Sequence, residues 1–132
     1  MIDIFDNFLV YKPYGVISQF SPHEKYQSLN SLFNFPKNVY PIGRLDAESE
    51  GLLILSNNPQ LNHRLLQPKN EHQRSYWFQL DGQITAEAIE KLQNGVKINV
   101  KGERIQTRPA MVSSIDESLI PAVDHTVINP NS

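Results

Sequence analysis

Asp46 is the residue whose type and surroundings best suit nucleophilic chemistry. It stands in Gly43-Arg44-Leu45-Asp46-Ala47-Glu48-Ser49-Glu50-Gly51, which runs directly into Leu52-Leu53-Ile54-Leu55-Ser56-Asn57. A charged, loop-like segment thus meets an apolar strand. An acid at such a junction sits on a rigid edge, partly desolvated and beside a fixed cation, a workable setting for a nucleophilic carboxylate. A plainer reading makes Arg44 and Asp46 a turn-stabilising ion pair, the usual state of charged residues in loops. A third reading pairs Asp46 with Glu48 or Glu50 as the two carboxylates of a hydrolase. The histidines His23, His63, His72 and His125 lack metal-ligand spacing and read as surface or loop residues. With no cysteine there is neither a thiolate nucleophile nor a disulfide framework.

The elements that position these residues follow from periodicity. Residues 5–11 alternate loosely and end in bulky β-formers, which predicts a first strand. Lys12-Pro13-Tyr14-Gly15 breaks it, and residues 16–20 (V-I-S-Q-F) form a second short extended piece. Tyr26, Leu29, Leu32 and Phe33 have helical spacing, predicting a short helix over 26–33 that Pro36 ends. Residues 52–56 form a strand, and Asn57-Asn58-Pro59 turns into a helix over 60–66 with Pro59 at its first position. Residues 74–80 (R-S-Y-W-F-Q-L), rich in aromatics, predict a further strand before the Asp81-Gly82 turn. A helix over 86–94 follows, with Thr85 as N-cap and Gly95 as C′ residue. Strands over 96–100 and 104–115, joined by Lys101-Gly102, complete the chain. This order predicts an α+β domain spanning 1–132, built on a mixed, largely antiparallel sheet with short flanking helices.

Composition sets the outer bounds. The chain has 132 residues, 39% hydrophobic and 20% charged, enough for a real core and too apolar for disorder. Its longest apolar run is Leu52 to Leu55, too short to span a membrane, and the acidic start Met1 to Asp6 does not resemble a leader. A cytoplasmic location is the default expectation. Net charge is −2, so composition alone gives no sign of nucleic-acid binding.

The long Asp46 segment resembles the signature of one group of RNA pseudouridine synthases, which act on ribosomal RNA. The group comprises the A type, specific for the small ribosomal subunit, with the B, E and F types of the large one. That signature reads Gly-Arg-Leu-Asp, two variable residues, Thr or Ser, one more, Gly, and a leucine-rich strand ending Thr-Asn. Gly43 to Asp46, Ser49, Gly51 and Leu52 to Asn57 match it, with Ser56 at the threonine position. Lys12-Pro13-Tyr14-Gly15 with the following Val-Ile-Ser-Gln-Phe also resembles the first motif of this family, its ending nearest to the E type.

The resemblance implies an enzyme that isomerises a uridine of ribosomal RNA, expected to be large-subunit RNA, without cofactor or metal. It implies Asp46 as nucleophile. It implies Tyr76, in place of the tyrosine of a Lys-x-Tyr strand motif, as stacking platform and acceptor of the C5 proton. Arg74 stands where that motif has lysine. Arg44 is expected to enter the gap left by the flipped base or to pair with Asp46. Because the net charge is negative, RNA contacts must come from a local patch of Lys12, Arg44, Arg64, Lys69 and Arg74, while Glu48 and Glu50 are expected to be solvated.

Two parts of the family pattern have no counterpart in the sequence. The expectation is that no separate N-terminal RNA-binding domain accompanies the catalytic one. A later Glu-Gly-x-x-Arg-Gln-Val-Arg motif, whose arginine pairs with the aspartate, is missing beyond residues 114–132. The expectation is a C-terminally incomplete catalytic domain, with Asp46 short of its cation and an apolar face left open. Such a chain is either active or a binding module that retains RNA affinity without turnover.

Overall fold

The computed structural model describes residues 4–120, which fall into two compact units, one ending at Arg74 and the other beginning at Ser75. His125 and the terminal Asn129 to Ser132 lie outside the described residues.

The first unit is organised by three antiparallel strands: β1 (Asn7–Lys12), β2 (Tyr40–Ile42) and β3 (Gly51–Ser56), in the order β1-β3-β2. The central position of β3 accounts for its unbroken apolar string, since it is flanked on both edges. Pairing of Phe8 with Leu55 and Val10 with Leu53 puts these four side chains on one face. There they pack with Val16, Leu29, Phe35 and Val39 into the core, with Leu29, Val39 and Leu55 fully buried. Phe35 meets Phe8 edge-on at 5.3 Å between ring centroids and Phe20 at 5.8 Å, geometries that aromatic pairs favour. On the other face Leu9, Tyr11 and Leu52 are exposed. The strand β2 was not legible as one. It is short and contains Pro41, which an edge strand tolerates because its outer side needs no donor.

After β3 the chain enters helix α1 (Pro59–Leu66), as the Asn-Asn-Pro signal predicts. The Asn58 side chain accepts from the backbone N–H of Gln60 at 3.0 Å and of Leu61 at 3.4 Å, satisfying two donors that have no partner within the helix. The helix expected over 26–33 is reduced to one 3₁₀ turn, Leu29–Ser31. The reason is competition for the backbone. Gln27 N–H donates to Gly15 O at 3.2 Å, Ile17 N–H to Gln27 O at 2.9 Å and Leu29 N–H to Gln19 O at 2.9 Å, so long-range bonds replace the i to i−4 ladder. The extended piece expected over 16–20 is likewise not formed: Val16 pairs with Gln27 through one parallel bridge, and the chain bends over Ser18 to Phe20.

The second unit holds α2 (Ala86–Asn94) and a hairpin of β4 (Lys97–Val100) and β5 (Glu103–Gln106). Thr85 Oγ1 accepts from Ala88 N–H at 3.1 Å, the predicted cap. Two expectations fail here. Residues 74–80 form no strand, because a strand needs a neighbouring ladder and no backbone hydrogen bond to a described residue is made there. Likewise β5 ends at Gln106 and does not continue to 115. Thr107 N–H makes a last bond to Val96 O at 2.8 Å, β4 offers no further partner, and Pro109 follows without a donor.

Gly95, beyond the end of α2, has φ +95°, and a Cβ placed there would lie 2.4 Å from the Thr107 carbonyl oxygen. Gly95→Ala is therefore expected to destabilise the second unit by about 2 kcal/mol. Urea unfolding followed by the NMR signals of residues 85–107 would check this. An unchanged midpoint would show that the hairpin can move away from the helix end.

Candidate active site

The two motifs, which begin at Lys12 and at Gly43, are brought together in the first unit, and the first straps the second from both sides of Asp46. On the N-terminal side the buried Ser18 hydroxyl donates to Leu45 O and accepts from Leu45 N–H, each at 3.0 Å. On the C-terminal side Gly15 N–H donates to Ala47 O at 2.7 Å. The loop closes on itself where Ser49 N–H donates to Asp46 O at 3.0 Å. Gly43, with φ +80°, makes the turn from β2 into this loop, a conformation that glycine takes without the Cβ penalty. Asp46 itself is exposed. A carboxylate open to a ligand is thus carried on a backbone fixed at both of its neighbours.

Lys12 corrects an expectation. Placed by sequence in a surface patch, it is fully buried, and its ammonium donates to Val16 O at 2.7 Å, Pro13 O at 2.9 Å and Ala47 O at 3.5 Å. A buried ammonium must find oxygens to replace water, and the turn after β1 supplies them. Its charge is therefore not offered to phosphates. Burial pushes its pKa below the ordinary 10.5, while the Glu50 and Asp46 carboxylates pull it back up. Its neighbour Tyr11 is raised above 10.0 by burial and by the Glu50 carboxylate.

Arg44 and Asp46 do not form the expected ion pair. The guanidinium Nη2 donates to Gln19 Oε1 at 3.4 Å, and the ion pair present among the described residues is Lys91 with Glu87, on exposed turns of α2. Glu48 is exposed but accepts from the Tyr26 hydroxyl at 3.5 Å. Glu50 is half-buried near Lys12 and Tyr11, so the solvated reading does not describe it. Of these residues, sequence reading overlooked Ser18, Gln19 and Tyr11 as parts of the site. They sit in or beside a recognised motif, but their partners are remote in the chain.

Arg64 is exposed on α1, where it lines an open depression of about 420 Å³ with Pro59, Gln60 and His63. Arg74 donates through Nη2 to Leu65 O at 3.0 Å, satisfying a carbonyl at the end of α1 and placing positive charge at the negative end of the helix dipole. Tyr76 belongs to the second unit, where it is exposed with its ring 6.0 Å from that of Phe78. Among the described residues no three His, Asp or Glu side chains converge as a metal site, and no helix is long and apolar enough to cross a membrane.

Comparison with known proteins bears on the family and the fold. The model of the RNA pseudouridylate synthase family matches residues 6–125. Ribosomal large subunit pseudouridine synthase E of Xanthomonas axonopodis pv. citri is 41% identical over 109 residues, covering 82% of this chain and 55% of that protein. Ribosomal large subunit pseudouridine synthase B of Bacillus subtilis is 36% identical over 104 residues, covering 78% of this chain and 41% of the relative. The chain thus spans about half the length of the curated relatives it matches. A crystal structure of a pseudouridylate synthase superposes with a TM-score of 0.68 over 88% of this chain and 49% of the other, at 23% identity, and shows the shared α+β fold. With the signature aspartate exposed on a loop strapped by the first motif, and the family match covering nearly every described residue, this chain belongs to the RNA pseudouridylate synthase family.

Proposed function

We propose that this chain carries the catalytic centre that converts a uridine of large-subunit ribosomal RNA into pseudouridine in the cytoplasm, with Asp46 as nucleophile. The observation that carries this reading is the exposed Asp46 on a loop whose flanking peptides are fixed by Ser18 and Gly15. The names of the relatives favour large-subunit RNA over that of the small one. In the proposed reaction the carboxylate adds to C1′ of the ribose or C6 of the base, and the N1–C1′ bond breaks. The uracil turns, C5 bonds to C1′, the bond between Asp46 and the nucleoside breaks to return the free carboxylate, the C5 proton leaves, and N1 ends protonated. The atoms balance without an oxidant or hydrolysis, so the chemistry requires neither metal nor cofactor.

The base must leave its stack before Asp46 can reach it, at an expense of a few kcal/mol. Arg44, exposed and held lightly by Gln19, is suited to fill the vacated space. Tyr76 is proposed as the platform under the flipped base and as acceptor of the C5 proton. Arg64 and Arg74 are proposed as phosphate contacts, a local positive set on a chain of net charge −2.

The test is tritium release from C5-labelled uridine in unmodified ribosomal RNA, with analysis of the nucleoside product. Release with pseudouridine formed is the expected result. Free uracil as product would instead favour the two-carboxylate hydrolase. RNA binding without release would identify a binding module.

A further inference from the structure

The bonds around Leu45 carry an inference that builds on the synthase reading. We propose that Ser18 is a positioning residue for Asp46: its hydroxyl grips the preceding peptide and so sets the direction of the carboxylate.

The hydroxyl of Ser18 donates to Leu45 O and accepts from Leu45 N–H, each at 3.0 Å, so one side-chain atom meets both polar groups of a single residue. Two bonds on opposite ends of one residue restrain its rotation as well as its place. A single bond would leave it free to pivot. Ser18 is only 4% exposed, so water has little access to replace it. The next residue in the chain, Gln19, accepts from the Arg44 guanidinium at 3.4 Å, a light side-chain tie that leaves the Leu45 peptide to Ser18.

The other side of the loop is tied separately. Ala47 O is held by Gly15 N–H at 2.7 Å and approached by the Lys12 ammonium at 3.5 Å. Loss of the Ser18 hydroxyl therefore releases one flank of Asp46 while the other remains attached. A loop held at one end keeps the fold but lets the carboxylate swing. A misplacement of about 1 Å at a reacting group lowers turnover by about 100-fold. Substrate affinity, set by groups elsewhere on the surface, is not touched.

The experiment compares the parent chain with Ser18→Ala and Ser18→Thr on C5-tritiated ribosomal RNA, alongside amide exchange at Leu45 and the order parameter of the Asp46 amide. Ser18→Ala is expected to lower kcat at least about tenfold with KM changed less than about threefold, to speed Leu45 exchange and to lower the Asp46 order parameter. Ser18→Thr, which keeps the hydroxyl, is expected to restore all three. An unchanged kcat and unchanged exchange in Ser18→Ala would overturn the proposal. So would a parallel loss of melting temperature, RNA affinity and kcat, which marks a purely structural residue. If the parent chain itself does not turn over, the synthase reading fails on its own. The Leu45 exchange and Asp46 order parameter then decide the positioning role without reference to activity: a change in Ser18→Ala supports it and no change overturns it.

Discussion

Asp46→Ala is expected to lower tritium release from ribosomal RNA by at least about 10⁴-fold, the scale on which loss of a covalent nucleophile acts. The side chain is exposed, and its backbone carbonyl, not its carboxylate, accepts from Ser49. Alanine at such a surface position changes stability by about 0.5 kcal/mol or less. The loss would therefore be chemical, not a consequence of unfolding. RNA affinity, measured by filter binding, is expected to stay within about threefold of the parent, because a carboxylate contributes no attraction to phosphates. Asp46→Asn is the stricter variant, since it keeps the shape and removes the charge. Turnover surviving in either would remove Asp46 from the nucleophile's role.

The second large effect is on stability. Lys12→Met keeps much of the apolar stem but deletes an ammonium that serves Val16 O and Pro13 O at short range and approaches Ala47 O. Buried carbonyls left without a donor, and a loop with one fewer tie, should lower unfolding free energy by about 3 kcal/mol. The relief of desolvating a charge works the other way and keeps the figure from being larger. Denaturant unfolding reads the change directly, and a variant as stable as the parent would show that the carbonyls find other donors.

The pH dependence has a definite sign. Burial depresses the Lys12 ammonium below 10.5, so the folded chain gives up this proton before the unfolded chain does. Between the depressed value and 10.5 the unfolded state binds more protons, and the Lys12 contribution to stability rises with pH. Lys12→Met should remove that rise. Tyr11 acts oppositely: its folded value is raised above 10.0, so its contribution falls as pH increases beyond 10.0. The Lys12 effect is best read in a Tyr11→Phe background, where this opposing trend is absent.

Local chemistry made several features readable before any fold was known. The Asn58-Pro59 start of α1 and the Thr85 and Gly95 ends of α2 are set by groups within four residues of one another. Lys101-Gly102 is likewise a local turn, both residues at positive φ between β4 and β5. Where sequence reading went astray, long-range pairing was the cause. Residues 26–33 have helical spacing, yet Gln27 and Leu29 bond to Gly15 and Gln19, and those partners outweigh a short helix of modest propensity. Residues 74–80 have strand composition but no ladder among the described residues, and composition cannot supply one.

The candidate site divides along the same line. Motif order and residue type were enough to identify the family and the α+β class, and to nominate Asp46 for the role proposed above, because a signature and its following strand are contiguous in the chain. They could not show that Lys12 lies under the loop and not on the surface, that Arg44 bonds Gln19 instead of Asp46, or that Ser18 grips Leu45. Each of those facts depends on a contact across 25 or more residues for the two side-chain bonds, or on burial created when 12–18 folds against 43–49. Charge and polarity state what a side chain can bond to. Which partner it takes is settled by what the folded chain brings within about 3 Å and shields from water.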